Sequence, residues 1–368
     1  MKKIALIITD FDRLFSTQGI KGGGSHVLKN LIVNWIKDPN VTLDIYCSNT
    51  KTFEYEGINK IIRIPINQYA DLNGFINRLE AFVSQDNYDN VLFGEVISPY
   101  GSVLLQAHSF LYRYDLYGGG LITKFFKRIK RKKIKAQERQ FSKYNNVYIA
   151  MSEKVKKDYA FYFDIPEENI VVAYPGVTMP EVEPKEPNST MTFGIVGSSN
   201  ANKGAYKFIK AISKLKKHTK NFKAIMICNN YQRLYLMRFL VWLYKVEKYV
   251  EILDFQANME DFYKQIDCIV MPSRHEAFGL VAIEGASHSA VPLVSNNTGF
   301  AEILDENENG FIFDINKKGI KNLTEKMKTI VDLYYNEKEK FNEIKYKSNE
   351  LAKKYSWEGF SNKVLKNL

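Results

Sequence analysis

Glu276 and Glu284 stand in one segment, Met271-Pro-Ser-Arg-His-Glu-Ala-Phe-Gly-Leu-Val-Ala-Ile-Glu284. A carboxylate only accepts hydrogen bonds and can grip two adjacent hydroxyls. The apolar residues up to Met271 read as a buried strand, and a helix is expected from about Leu280, which places Glu284 in its first turn. The loop between them ends at a helix start, where unpaired N–H groups and the helix dipole favour a phosphate. Gly279 lets the backbone come close to a ligand. Two carboxylates flanking such a helix start suit a diphosphate held between two sugars. They are equally compatible with two solvent-facing glutamates, one merely complementing the dipole. Gly22-Gly23-Gly24-Ser25 opens a helix in the first half, although a glycine triplet by itself is usually a flexible turn. His108 follows the apolar run at Leu104-Leu105, and a lone histidine there is commonly structural.

The elements that must hold these residues follow a βαβ rhythm. Ile4–Thr9, Val41–Cys47, Val91–Phe93, Val147–Met151 and Ile170–Ala173 read as strands, with helices expected over Gly22–Asp38, Asn73–Gln85 and Ser152–Phe163. Alternation of this kind indicates a parallel sheet covered on both faces. Pro175, Pro180, Pro184 and Pro187, interleaved with Glu181, Glu183 and Glu186, interrupt it as a linker. The rhythm then restarts with strands at Thr192–Val196, Ala224–Cys228, Ile252–Phe255 and Cys268–Met271, and a helix over Ala205–Lys216. Both halves open with a strand, a glycine-bearing loop and a helix. The class is α/β, two Rossmann-like domains with parallel sheets facing a central cleft. The expected divisions are 1–180, a linker at 181–190, 191–350, and a tail helix at 351–368 returning to the first domain.

The Met271–Glu284 segment resembles the E-x7-E signature of the retaining glycosyltransferases of family 4, which have the GT-B fold. Pro272-Ser273, Glu276, Phe278-Gly279-Leu280, Glu284 and Ala286 stand where that motif has them. Val291-Pro292-Leu293-Val294 and Thr298-Gly299-Phe300-Ala301-Glu302 are similar to its continuation. The resemblance covers most of the chain and is concentrated in 193–315. It implies transfer of a hexosyl or N-acetylhexosaminyl group, with retention, from a nucleoside diphosphate sugar to a sugar or lipid-linked acceptor. Glu276 would hold the donor sugar's hydroxyls, Glu284 the ribose diol, and the start at Phe278, Gly279 and Leu280 the phosphate. Gly22, Gly23 and Gly24 resemble the glycine loop that approaches donor phosphate and sugar, and His108 the histidine near the donor sugar. Gly197 with Lys203-Gly204 resembles the G-R-x5-K-G diphosphate loop, Lys203 being its cation. Ser198 stands where that loop has arginine, a bidentate phosphate binder that serine does not replace. Another cation, or the hydroxyls of Ser198 and Ser199, would have to compensate. Asn229-Asn230 replaces a glycine pattern after the Ala224–Cys228 strand. No cofactor and no metal are implied, and uridine is the default base.

The chain has 52 Lys+Arg against 41 Asp+Glu, a net charge of +11 over 368 residues. Within Thr123–Lys143, ten cations face Glu138 alone, so this stretch of 21 residues carries +9 and the remainder +2. Lys124, Lys127, Arg128, Lys130, Arg131, Lys132, Lys133 and Lys135, interleaved with Phe125, Ile129 and Ile134, fit a helix lying on an anionic membrane surface. A solvated helix packed on its own domain and a nucleic-acid contact are the other readings; sparse aromatics and the lack of a recognised module disfavour the last. The expected location is cytoplasmic, peripheral on the inner face of the cell membrane. Tyr231–Tyr249 reads as a helix packed in the core, or else as a second membrane contact or an oligomer face. Cys47, Cys228 and Cys268 are too scattered for a disulfide framework or a zinc cluster. No H-E-x-x-H or G-x-G-x-x-G occurs, which argues against an NAD enzyme; a metal-dependent transferase is not expected, although Asp10-Phe11-Asp12 is a D-x-D just after the first strand. An epimerase of the same fold, and a non-catalytic nucleotide-sugar or membrane-binding partner, remain as alternatives.

Overall fold

Five residues in succession, Ile4 to Ile8, are fully buried in β1 (Lys2–Asp10). A continuous apolar run is what a parallel strand covered on both faces requires. The computed structural model describes residues 1–16, 22–64, 79, 81–83, 87–94, 101–109, 112, 147–181, 189–197, 201–228, 231–256, 258–316 and 318–368. The cationic stretch 123–143, Ser198, Ser199, Asn229-Asn230 and most of the expected helix 73–85 lie outside them. After β1 come α1 (Phe11–Leu14), α2 (Gly23–Trp35), β2 (Val41–Asn49), β3 (Lys60–Arg63), β4 (Asn90–Phe93), β5 (Ser102–Leu105), β6 (Tyr148–Ala150), α3 (Glu153–Phe163) and β7 (Ile170–Val172). They form a parallel seven-stranded sheet of order β3-β2-β1-β4-β5-β6-β7. In α2, Val27, Leu28, Leu31, Ile32 and Trp35 are buried, the spacing of one helical face turned to the core.

The second series is β8 (Thr192–Val196), α4 (Ala205–Leu215), β9 (Lys223–Ile227), α5 (Tyr231–Leu243), β10 (Val250–Leu253), α6 (Glu260–Gln265), β11 (Cys268–Met271), α7 (Leu280–Ser287), β12 (Val291–Ser295), β13 (Phe311–Phe313), α8 (Gly319–Asn336) and α9 (Lys338–Lys353). Its six strands run parallel in the order β10-β9-β8-β11-β12-β13. Phe208, Ile209 and Ile212 of α4 and Leu323, Met327 and Ile330 of α8 share one core against β8 and β12. The strand expected at 252–255 lies two residues earlier, because Val250 pairs with Ala224 and Leu253 with Ile227.

The last helix, α10 (Trp357–Lys366), belongs with the first series: the two units are Met1–Gly176 with Trp357–Leu368, and Val177–Ser356. Trp35 in α2 donates its indole N–H to the Ser361 carbonyl (3.4 Å), and Lys2 Nζ reaches the Leu365 carbonyl (3.0 Å). The divisions therefore differ from those read in the sequence. Residues 351–353 complete α9, and the second unit begins at Val177, whose N–H bonds to the Tyr355 carbonyl (2.9 Å) beside a Val177–Ser356 bridge. The expected core packing of α5 holds for one face. Leu234, Met237 and Val241 are buried, whereas Tyr235, Leu236, Phe239, Trp242 and Leu243 are exposed. No described helix is long and apolar enough to cross a membrane.

Candidate functional site

In the second sheet the strand order reverses between β8 and β11, so the loops after these neighbouring strands leave their carboxyl ends in opposite directions. Such a switch point is where an open α/β sheet forms a crevice for ligands. Lys203 comes from the β8 loop and Glu276 from the β11 loop, and Nζ stands 2.5 Å from Oε2 with both side chains partly accessible. Backbone contacts lock the two loops together. Asn202 donates its side-chain amide to the His275 carbonyl (2.8 Å), and the Arg274 N–H bonds to the Asn202 carbonyl (2.8 Å). Gly204 permits this approach: its φ is +77°, and a Cβ there would overlap the Pro272 carbonyl. From the other side, Glu276 pairs with Thr298 as a β-bridge, its N–H bonding to the Asn297 carbonyl (3.2 Å) and its carbonyl accepting from Gly299 (3.1 Å). The glutamate backbone is thus fixed between two loops while its carboxylate faces Lys203.

The helix start follows at once. Gly279, at φ +116°, precedes α7, whose first N–H groups at Leu280 and Val281 are those a helix leaves without intrahelical acceptors. Phe278 is buried, its ring edge-on to Phe300 at 5.8 Å, so it offers backbone rather than side chain to a ligand. Glu284 stands in the second turn of α7, not the first, because the helix begins at Leu280. It is therefore no partner for the dipole. Its Oε2 accepts the Tyr263 hydroxyl at 2.5 Å. Burial pushes the Glu284 carboxyl up to about 7, with the Tyr263 hydrogen bond opposing. Burial and the adjacent carboxylate together push the Tyr263 phenol well above its ordinary range. His288 stacks on Tyr263 (5.0 Å) and its Nδ1 lies 2.8 Å from the Glu284 carbonyl.

Lys207, one turn along α4 from Lys203, is half-buried, and its ammonium is held down to about 8 by burial and by Arg274. Lys207 and Arg274 therefore lie close enough to repel each other, on the segments that follow Lys203 and precede Glu276.

In the first unit, Gly22 caps α2 at φ +104°, with the Arg13 guanidinium near it. Gly23 and Gly24 begin the helix, and Gly24 lies close under the Gln106 side chain, which donates to the Gly94 carbonyl at 2.5 Å. His108 is buried with its Nδ1 3.1 Å from Asp158 of α3. The same carboxylate accepts the Ser109 N–H and hydroxyl, each at 2.7 Å, and Tyr112 stacks on the imidazole at 4.2 Å. The imidazole orientation is therefore set by Asp158. The predicted residues fall into two groups, Lys203, Glu276, Phe278, Gly279, Leu280 and Glu284 in one unit and Gly22, Gly23, Gly24 and His108 in the other.

Residues 181–348 match the family model described as glycosyl transferases group 1. Among curated proteins, the uncharacterized glycosyltransferase MJ1607 of Methanocaldococcus jannaschii is 28% identical over 179 residues, 44% of this chain and 45% of that protein. The chain spans less than half the length of the curated relatives it matches. Among solved structures, WaaG, a glycosyltransferase involved in lipopolysaccharide biosynthesis, superposes with a TM-score of 0.75 at 12% identity, covering 98% of each chain. Anabaena Alr3699/HepE in complex with UDP gives 0.72 at 13% identity, covering 100% of this chain and 99% of that one. The chain has the GT-B fold.

Four residues of this GT-B chain that bear on its candidate sites were absent from the sequence reading: Asp158, Asn202, Tyr263 and Lys207. Asp158 sits on an amphipathic helix among ordinary charges, and Tyr263 stands 21 positions before its glutamate. Neither carries a local signal. Lys207 stands four residues after Lys203, so the spacing itself offers a cation where the arginine is missing.

Proposed function

We propose that this chain is a retaining glycosyltransferase. It moves a hexosyl or N-acetylhexosaminyl group from a nucleoside diphosphate sugar, with uridine as the base, to a sugar or lipid-linked acceptor in surface glycan or glycolipid synthesis. The observation that carries this reading is the meeting of Lys203 and Glu276 beside the start of α7, at the switch point of the unit that the family model covers. HepE crystallised with UDP, and WaaG's part in lipopolysaccharide synthesis, support the choice of base and product class.

As the bond from the anomeric carbon to the diphosphate breaks, negative charge grows on the leaving oxygens. Lys203 and the α7 N–H groups stabilise it in place of solvent. Lys207 and Arg274 stand in for the arginine that Ser198 replaces. Glu276 turns from Lys203 to accept hydroxyls of the donor sugar, orienting the anomeric carbon. Glu284 accepts the ribose diol when ionised, with Tyr263 holding the carboxylate in place. The first unit takes the acceptor, His108 being set by Asp158 to meet a sugar. The acceptor hydroxyl attacks from the face the diphosphate leaves, so no protein nucleophile is assigned, and no metal or cofactor is invoked. The cations from Lys124 to Lys135 hold the enzyme to the anionic inner face of the membrane.

The test is incubation with a panel of nucleotide sugars, with and without lipid-linked acceptors. Acceptor-dependent release of nucleoside diphosphate, with the anomeric configuration of the product unchanged by NMR, is the expected result. Isomerisation of the donor without acceptor contradicts it.

A further inference from the structure

On α5, Tyr235, Leu236, Phe239, Trp242 and Leu243 are 56, 47, 51, 62 and 50% exposed. Their spacing places them along one side of the helix, opposite Leu234, Met237 and Val241 in the core. The helix thus carries apolar residues on two opposite sides, yet only one of them is covered by its own unit. The Phe239 and Trp242 rings lie 5.8 Å apart and make a continuous aromatic surface. Contiguous exposed apolar side chains are a feature that binding surfaces share.

The charge around it has one sign. From 187 to 246 the sequence holds eleven Lys and Arg and not one Asp or Glu. The stretch outside 123–143 is therefore not evenly neutral; its small net charge hides a second cationic region. The fold sets part of that region beside α5. The Tyr244 hydroxyl donates to that of Tyr206 on α4 (3.2 Å), Lys210 lies 4.4 Å over the Tyr206 ring, and Lys216 Nζ donates to the Tyr244 carbonyl (3.0 Å). Arg238, Lys245 and Lys248 are exposed on or just after α5. The next acids in sequence are Glu247 and Glu251, both exposed and beyond the C-terminal end of the helix.

We propose that this face of the second unit docks on an anionic lipid bilayer, the aromatic stripe entering the headgroup layer and the lysines meeting lipid phosphates. Aromatic and leucine side chains beside Lys and Arg are the composition of interfacial helices. Protein interfaces deplete lysine at their centre, and a symmetric pairing of two copies would set like charges against each other. The surface is made of other residues than the 124–135 cations, and vesicle binding reads it without any donor, so it stands or falls apart from the transferase reading.

The experiment is co-sedimentation of the full chain with vesicles of pure phosphatidylcholine and of an equimolar mixture with phosphatidylglycerol. The F239E/W242E double variant is compared with the parent. Both are also made in a background in which Lys130, Arg131, Lys132 and Lys133 are glutamine. Because the substituted side chains are exposed, the thermal midpoint should not move. The expected result is binding to anionic vesicles in both backgrounds, weakened about tenfold or more by F239E/W242E. Tryptophan emission should shift to the blue on anionic vesicles, and the shift should be lost in W242F. Binding unchanged by F239E/W242E in both backgrounds overturns the proposal. So does equal binding to pure phosphatidylcholine, or a dimer seen by sedimentation velocity that F239E/W242E dissociates while vesicle binding persists.

Discussion

Lys203 and Glu276 stand 73 residues apart in sequence, and their charged atoms meet at 2.5 Å where the loops of two adjacent strands diverge. Without donor, Glu276 occupies the ammonium that the diphosphate would use. Removing the carboxylate should therefore separate two effects. Glu276→Ala should bind free nucleoside diphosphate as well as the parent or several-fold more tightly, since Lys203 loses its competitor. Turnover of the intact donor should fall on the order of a hundredfold, the loss expected of a group that acts on the reacting sugar. Calorimetric titration and initial rates read the two separately.

Glu284 titrates in a window that can be reached. Its folded-state value of about 7 lies above the ordinary 4.5, so folding favours its protonated form. That contribution to stability is complete below 4.5 and is lost as pH rises through about 7. Glu284→Gln keeps an acceptor for the Tyr263 hydroxyl and does not titrate. The residue retains some accessible surface, so the variant should be about 1–2 kcal/mol more stable than the parent near pH ~8 and nearly equal near pH ~5. Urea midpoints at the two pH values check this. Donor affinity of the parent should weaken as pH falls through 7, as the ribose diol loses an ionised acceptor, and the variant should lack that dependence.

Gly204→Ala places a Cβ against the Pro272 carbonyl at a backbone angle of +77°. Both strain and overlap oppose it, and the loop carrying Lys203 must move. A loss of about 2–4 kcal/mol by denaturant unfolding is expected, together with weakened donor binding.

Asp158→Ala leaves the buried Ser109 N–H, the Ser109 hydroxyl and His108 Nδ1 without their shared acceptor. Unpaired buried donors cost about 1–3 kcal/mol each before relaxation, so unfolding should reveal about 3 kcal/mol of destabilisation. Asp158→Asn, which keeps one acceptor oxygen, should lose less.

The strands legible in the sequence are uninterrupted buried apolar runs, and α4 and α2 keep a helical stripe; the helices at 260–265, 319–336 and 338–353 were not read. Four strands were not read: Lys60–Arg63, Ser102–Leu105 and Phe311–Phe313 are too short to stand out from neighbouring apolar residues, and Val291–Ser295 carries Pro292, which argues against a central strand. Lys203, Glu276 and Glu284 were legible as a motif, but their partners were not. That Lys203 should face Glu276 depends on β8 lying beside β11, which is set by the sheet order. That Glu284 should meet Tyr263 depends on α6 packing near α7. The exposed side of α5 could not be told from its buried side, since both are apolar; only the fold decides which one faces the core.

The most direct test is the acceptor-dependent rate of nucleoside diphosphate release by the parent and by Lys203→Ala across the panel of nucleotide sugars. The account predicts release from at least one donor in the parent, and a fall of about a hundredfold to a thousandfold in the variant, as for loss of one electrostatic group at the leaving charge. Release that is equally fast without Lys203 would contradict it.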